Sequence, residues 1–281
     1  MRFVATIVIT GLVAASIVSL GAAAAPSGSA RIVYRSVRLA NPQRSPELYS
    51  VSPSGTGRRL LARGADQPAL SADRTRIAFA GAGVRRQGIW VMRADGRGQR
   101  RLTSRAGDGE PTWSPDGKRI AFRRDQGASF DLWVVPAAGG SARRLFGGRT
   151  TSELSPDWSP NGLQIAFQGN RGGVNQIWIL TLRTRGVRRL TRGADSFQPD
   201  WSPDGKRIAY STRGRIAVVR ANGTGTRLLA TGVPRSAYNP SWSRDGRQIA
   251  FERGGQVLTM SGGRLRYATR AAWGTNGDPD W

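Results

Sequence analysis

Short apolar runs rich in β-branched and aromatic residues, each closed off by Gly, Pro, Asn or Asp, follow one another along this chain, a pattern that predicts strands rather than helices. One phrase organises them. It is clearest at Pro199-Asp200-Trp201-Ser202-Pro203-Asp204-Gly205-Lys206-Arg207-Ile208-Ala209-Tyr210. Pro111 to Phe122 repeats it nearly word for word, Pro156 to Phe167 and Pro240 to Phe251 repeat it with small changes, and Pro68 to Phe79 carries Leu70 in place of the Trp. Pro279-Asp280-Trp281 matches the opening of a sixth copy.

Each copy has four parts: P-x-W-S, then K/R-x-I-A-F/Y, then x-I/L-W-V-x, then R-R-L-T or its relatives. The second part recurs at Ile32, Ile77, Ile120, Ile165, Ile208 and Ile249. The third appears around Leu48, Ile89, Leu132, Ile177, Ile216 and Val257, and the fourth around Leu60, Leu102, Leu145, Leu190, Leu228 and Leu265. A period of about 43 residues with four short strands per copy predicts an all-β, six-bladed β-propeller of four-stranded antiparallel blades. Pro26 to Tyr34 supplies a turn and second strand without a first, and residues 278–281 supply the missing first strand. A blade shared by both termini would close the ring and remove its open edges.

Between the first two strands lies Ser-Pro-Asp-Gly, in which Pro presets φ, Asp bonds its own backbone and Gly accepts positive φ. Ala72-Asp73-Arg74-Thr75 largely loses this chemistry, so the blade containing it is expected to be the least regular. Trp113, Trp158, Trp201, Trp242 and Trp281 recur once per copy, as large rings packing neighbouring blades should. Trp273 falls off the pattern and is a candidate ligand contact.

Composition narrows the chemistry. The 281 residues contain no Cys and no His, which excludes histidine-based triads, thiol nucleophiles, disulfides and imidazole metal ligands. Net charge is +25, and only Lys118 and Lys206 among the 43 basic residues are lysines. The arginine skew is compatible with a purely compositional origin, whereas the excess of positive charge would attract anionic polymers. Residues 1–25 place Arg2 before an apolar run from Phe3 to Leu20 and small residues to Ala25, the layout of a secretory signal with cleavage after Ala24. An uncleaved anchor is the alternative. Residues 26–281 are expected to form one propeller domain, secreted or periplasmic.

The phrase P-x-W-S-P-D-G-x-x-I-A-F resembles the repeat of the TolB-like six-bladed propellers, over essentially residues 26–281. The resemblance implies a bacterial extracytoplasmic protein built for protein contacts. The best-known member, of the Tol–Pal envelope system, carries an N-terminal α/β domain with no counterpart in this sequence. Similar repeats form the gating propellers of prolyl-oligopeptidase-type peptidases, whose hydrolase domain likewise has no counterpart.

Loops that precede each first strand gather at one mouth of a propeller channel. They supply the candidate binding residues Asp66, Gln67, Asp108, Glu110, Glu153, Asp195, Gln198, Tyr238, Asn239 and Asp278. A polar, partly acidic mouth on a basic body suits a cationic group, a divalent metal or a sugar; the same residues also serve as turn chemistry before a strand. Gly139-Gly140, Gly147-Gly148 and Gly172-Gly173 read as hairpin turns, not phosphate loops. No catalytic residue, metal set or cofactor is assigned. Three functions remain open: a non-catalytic scaffold docking an envelope protein at the mouth, binding of an anionic envelope polymer through the arginine-rich surface, and a polysaccharide-acting enzyme using mouth carboxylates such as Glu110 and Glu153. Nucleic acid is not expected as a partner in that compartment, nor is a membrane span after signal removal.

Overall fold

The computed structural model describes residues 31–37, 45–83, 86–229, 237–269 and 275–281. The signal segment 1–25 and Trp273 lie outside the described residues. No helix of the described residues is long and apolar enough to cross a membrane.

Six four-stranded antiparallel sheets account for the 24 strands of the described residues. Blade 1 runs β24 (Thr275–Asp280), β1 (Ile32–Val37), β2 (Glu47–Val51) and β3 (Arg59–Arg63). Blade 2 holds β4 (Ala65–Leu70), β5 (Arg76–Gly81), β6 (Ile89–Arg93) and β7 (Arg100–Arg101). Blade 3 holds β8 (Gly109–Trp113), β9 (Arg119–Asp125), β10 (Phe130–Pro136) and β11 (Arg143–Phe146), and blade 4 holds β12 (Glu153–Trp158), β13 (Gln164–Gly169), β14 (Gln176–Thr181) and β15 (Val187–Arg189). Blade 5 holds β16 (Ser196–Trp201), β17 (Arg207–Thr212), β18 (Arg215–Arg220) and β19 (Arg227–Leu228), and blade 6 holds β20 (Ala237–Trp242), β21 (Ile249–Arg253), β22 (Gln256–Ser261) and β23 (Arg264–Tyr267). The expected closure is present. In blade 1 the C-terminal strand pairs antiparallel with the first N-terminal one, Val33 opposite Asp280 and Arg35 opposite Gly277.

The core lies between blades. Trp113 packs with Ile89 and Val91 of blade 2, Trp158 with Leu132 and Val134 of blade 3, and Trp201 with Ile177 and Ile179 of blade 4. Trp242 meets Val218 of blade 5, and Trp281 meets Val257 of blade 6. All five indoles are buried, at 5–9% exposure, so the recurrent Trp is inter-blade packing as the repeat predicts. Three of them carry a lid. The guanidinium of Arg76 lies 4.5 Å from the Trp113 ring centroid, Arg119 5.0 Å from Trp158 and Arg207 4.9 Å from Trp242. In each case the arginine immediately before I-A-F/Y on one blade's second strand covers the Trp of the next, which gives a packing role to the x position of K/R-x-I-A-F/Y in these three copies.

The turn between the first two strands is built alike in five blades. The serine hydroxyl donates to the Asp or Asn side chain two residues on, as Ser202 does to Asp204 at 2.5 Å and Ser159 to Asn161 at 2.7 Å. Blade 2 departs from the expected irregularity here. Ser71 donates to Asp73 at 2.6 Å, the Asp73 carboxylate accepts the Thr75 N–H at 3.0 Å, and Arg74 takes the glycine's role at φ +60°. The turn survives because Ser and Asp supply its hydrogen bonds, while the missing glycine is replaced by a strained residue.

Candidate binding site in the central channel

The innermost strands β24, β4, β8, β12, β16 and β20 face one another across the channel. Each contributes the same tripeptide, X-Pro-Y: Gln67-Pro68-Ala69, Glu110-Pro111-Thr112, Ser155-Pro156-Asp157, Gln198-Pro199-Asp200, Asn239-Pro240-Ser241 and Asp278-Pro279-Asp280. Together they line a cavity of about 230 Å³. All six X residues hold positive φ, from 45° at Asp278 to 52° at Gln198 and Asn239, and none is glycine. The strand register slips at this point in every blade. Each X is therefore the extra residue of a bulge, which turns its side chain toward the channel at a cost in backbone strain.

The X residues link blade to blade. Gln67 Oε1 accepts the Glu110 N–H at 3.0 Å, and Glu110 Oε2 accepts the Ser155 N–H at 2.6 Å. Gln198 Oε1 accepts the Asn239 N–H at 3.2 Å, and Asn239 Nδ2 donates to Asp278 Oδ1 at 2.7 Å. The Y residues form a second set of links. Asp157 Oδ2 accepts the Trp201 N–H and Asp200 Oδ2 the Trp242 N–H, both at 2.7 Å. Asp280 accepts the Leu70 N–H, and Ser241 Oγ accepts the Trp281 N–H at 3.1 Å. Every one of these Y partners is the Trp-position residue of the following blade.

Charge is unevenly shared. Five of the lining residues are carboxyl-bearing, Glu110, Asp157, Asp200, Asp278 and Asp280, and among the described residues no Arg or Lys lines this cavity in a chain of net charge +25. Arg35 stands behind the mouth with Nε 3.0 Å from Asp278 and 3.4 Å from Asp66. Burial would weaken its proton affinity, but Asp278, Asp66 and Glu252 outweigh that and hold its pKa above the usual value. One guanidinium does not neutralise three acids. Burial pushes Asp278 up to about 7, with Arg35 opposing and the Asp66, Glu252 and Glu110 charges adding to the rise. Burial raises Asp66 as well, against the pull of Arg35. Deeper in, Asp157, Asp200 and Asp280 are enclosed by protein and open only on the channel side. Burial raises Asp157 to about 7 despite the Trp201 N–H, lifts Asp200 well above the ordinary carboxylate range with help from the Asp157 charge, and raises Asp280.

Of the residues named from sequence, the channel gathers Gln67, Glu110, Gln198, Asn239 and Asp278, with Asp66 just behind. The others sit elsewhere. Asp108 is buried in a two-pronged pair with Arg124, at 2.6 and 2.8 Å. Glu153 is fully buried against Thr151 and Arg171, Asp195 caps the Asn175 N–H, and Tyr238 is exposed outside the cavity lining. Glu110, Glu153 and Asp195, all expected at the mouth, thus do not converge. In the sequence Asp157, Asp200 and Asp280 stand only as members of the repeated phrase, yet they supply the deepest acidic groups. Their signal was the variation at Y, which reads Ala, Thr, Asp, Asp, Ser, Asp around the ring. Among the described residues no group of three or more His, Cys, Asp or Glu is arranged to hold a metal ion.

Comparison with known proteins bears on the fold. No curated protein matches the sequence. TolB from Acinetobacter baumannii is similar in structure, with a TM-score of 0.77 at 23% identity over 96% of this chain and 71% of that one. A protein described as TolB from Agrobacterium tumefaciens aligns with a TM-score of 0.66 at 18% identity, over 86% of this chain and 89% of that one. A puromycin-hydrolyzing peptidase from Mycobacterium tuberculosis aligns with a TM-score of 0.59 at 18% identity, over 80% of this chain and 42% of that one. At these identities the likeness is one of fold. Residues 148–281 match the family described as TolB beta propeller domain, and the six blades closed by β24 share the fold of the two TolB structures.

Proposed function

We propose that residues 26–281 act as a non-catalytic binding module outside the cytoplasm, docking a protein partner at the X-Pro-Y mouth and drawing a cationic side chain of that partner into the channel. One observation carries this reading: among the described residues the cavity is lined by five acidic side chains and no cation, on a strongly basic body. A Lys or Arg side chain entering there meets Glu110 and Asp278 first, then Asp157, Asp200 and Asp280. The bulged backbone holds the X groups in place before the partner arrives, so less ordering is required on binding. Secretion rests on the apolar, small-residue-ended segment at residues 1–25.

The test compares capture of a partner from envelope extract by the mature protein and by its Glu110→Gln/Asp278→Asn variant. Wild type should retain a defined protein that the double variant loses. Equal capture by both would sink the reading.

A second reading is favoured by the outer rim. The outermost strand of every blade carries exposed arginine, represented by Arg59, Arg101, Arg144, Arg189, Arg227 and Arg266. This belt protects the exposed strand edges from pairing, and it also offers an anionic envelope polymer a continuous positive track. Salt separates the two: polymer binding on the belt should fall steeply and log-linearly with salt, whereas a single enclosed charge contact is screened much less.

A further inference from the structure

At the end of the channel away from the X residues a second cavity, of about 340 Å³, is walled by the five repeat Trp residues and floored by Asp157, Asp200 and Asp280. Its rim is formed by the turns between first and second strands. Pro115, Pro160 and Pro203 make that rim apolar. They also brace it, since an ideal Cβ on Gly162, Gly205 or Gly246 would meet the preceding blade's Pro at 3.4–3.8 Å.

Two arginines interrupt the pattern, one on each side of blade 1. Arg244 stands where the repeat has Pro, and Arg74 stands where it has Gly. Arg74 keeps a left-handed backbone at φ +60° that glycine would adopt without strain. Its Nη2 is buried and has no hydrogen-bond partner. A buried donor without an acceptor is costly, more so on a charged group. Burial also lowers the Arg74 pKa, opposed by the Asp280 charge and reinforced by that of Arg244, so the two guanidinium groups act on one another across the rim. A strained, charged residue with an unmet donor beside a second cation matches what an oxyanion offers, acceptor oxygens and negative charge.

We propose that this cavity binds a small organic oxyanion, a carboxylate or phosphate held between Arg74 and Arg244 with its apolar body against the Pro rim and Trp wall. The floor carboxylates do not compete for the guanidinium groups by direct contact. Each already accepts a main-chain N–H from the next blade: Asp157 from Trp201, Asp200 from Trp242 and Asp280 from Leu70. This site is independent of the cationic-ligand reading of the opposite mouth.

The five Trp residues around the cavity make intrinsic fluorescence the readout. The full chain is titrated at constant ionic strength with phenyl phosphate, benzoate and inorganic phosphate. Saturable binding of phenyl phosphate or benzoate is expected, and whichever binds tighter identifies the headgroup. Arg74→Gly/Arg244→Pro, which restores the repeat's own residues, should weaken binding about tenfold or more, the loss expected when charge-assisted contacts go. Arg74→Gly alone serves if the double variant does not fold. Arg101→Gln/Arg189→Gln on the outer strands should leave binding unchanged. The proposal is overturned by no saturable binding to wild type, by binding that survives loss of Arg74, or by an equal loss in the outer-strand variant, which would mean diffuse attraction to the basic surface. Inorganic phosphate binding as tightly as phenyl phosphate would overturn the part assigned to the apolar wall.

Discussion

The Asp157 carboxylate in β12 accepts the main-chain N–H of Trp201 in β16 at 2.7 Å, so a side chain of blade 4 satisfies the backbone of blade 5. The same relation joins Asp200 to Trp242 and Asp280 to Leu70. Channel lining and ring assembly therefore share these groups, and at these three positions loss of the oxygen acceptor would leave the next blade's N–H unmet.

Replacing Asp157 separates the two roles. Asp157→Asn retains an oxygen acceptor for Trp201 and should fold with stability near that of wild type. Asp157→Ala leaves the N–H without an acceptor and should cost about 1–3 kcal/mol. Chemical denaturation of the two variants checks this, and equal losses would count against the link.

Stability should respond to pH in the direction opposite to ordinary acid denaturation. Asp157 and Asp278 are raised to about 7 in the folded state, from an ordinary value of 3.8, so over that interval the folded chain keeps protons the unfolded chain has released. Their stabilising contribution is complete below 3.8 and is lost as pH rises toward 7. The turn acids Asp73, Asp116, Asp204 and Asp245 run the other way, because serine hydroxyl hydrogen bonds hold them below 3.8, but they are largely exposed and weigh less. Tm should fall between mildly acidic and neutral pH, and the slope should flatten in Asp157→Asn. A Tm that rises steadily through the same range would contradict this.

The Trp–Arg stacks predict unequal costs. Trp158→Ala removes a core indole between blades 3 and 4 and should cost about 3–5 kcal/mol. Arg119→Gln removes only its cationic lid, and Gln occupies the equivalent position at Gln164 and Gln248, so about 0.5–1 kcal/mol is expected. Urea unfolding midpoints measure both.

Ring closure predicts the effect of a short deletion. Removing residues 275–281 takes away β24, the Trp281 packing on blade 6 and the Asp280 link to Leu70, and it leaves β1 as an unpaired edge. A large drop in Tm with concentration-dependent aggregation should follow. Unchanged thermal stability would argue that the ring closes by other means.

Arg74→Gly should not destabilise blade 2. Relief of a left-handed arginine is worth about 1–2 kcal/mol, partly offset by about 0.4–1 kcal/mol for glycine's freedom in the unfolded chain. A small gain or no change in Tm is expected, and a loss above 1 kcal/mol would show that the arginine supports the turn.

By itself the sequence determined the blade. Strand, inter-blade Trp, turn and strand follow from residues near one another in the chain, and a period repeated six times lets local chemistry be read with little ambiguity. It also located the X residues, because each lies immediately before the recurrent Pro of the repeat. Only the tertiary structure decided which acids belong together. Asp108 and Glu153 looked equivalent to Glu110 from their positions at the start of a strand, yet arginines of their own blades, Arg124 on β9 and Arg171 in the turn after β13, hold them there. Asp157, Asp200 and Asp280 looked like turn and strand grammar, yet closing the ring brings residues 40 or more positions apart into one channel. The bulge at each X residue, which aims these groups inward, depends on strain that the whole ring pays for and that no single repeat reveals.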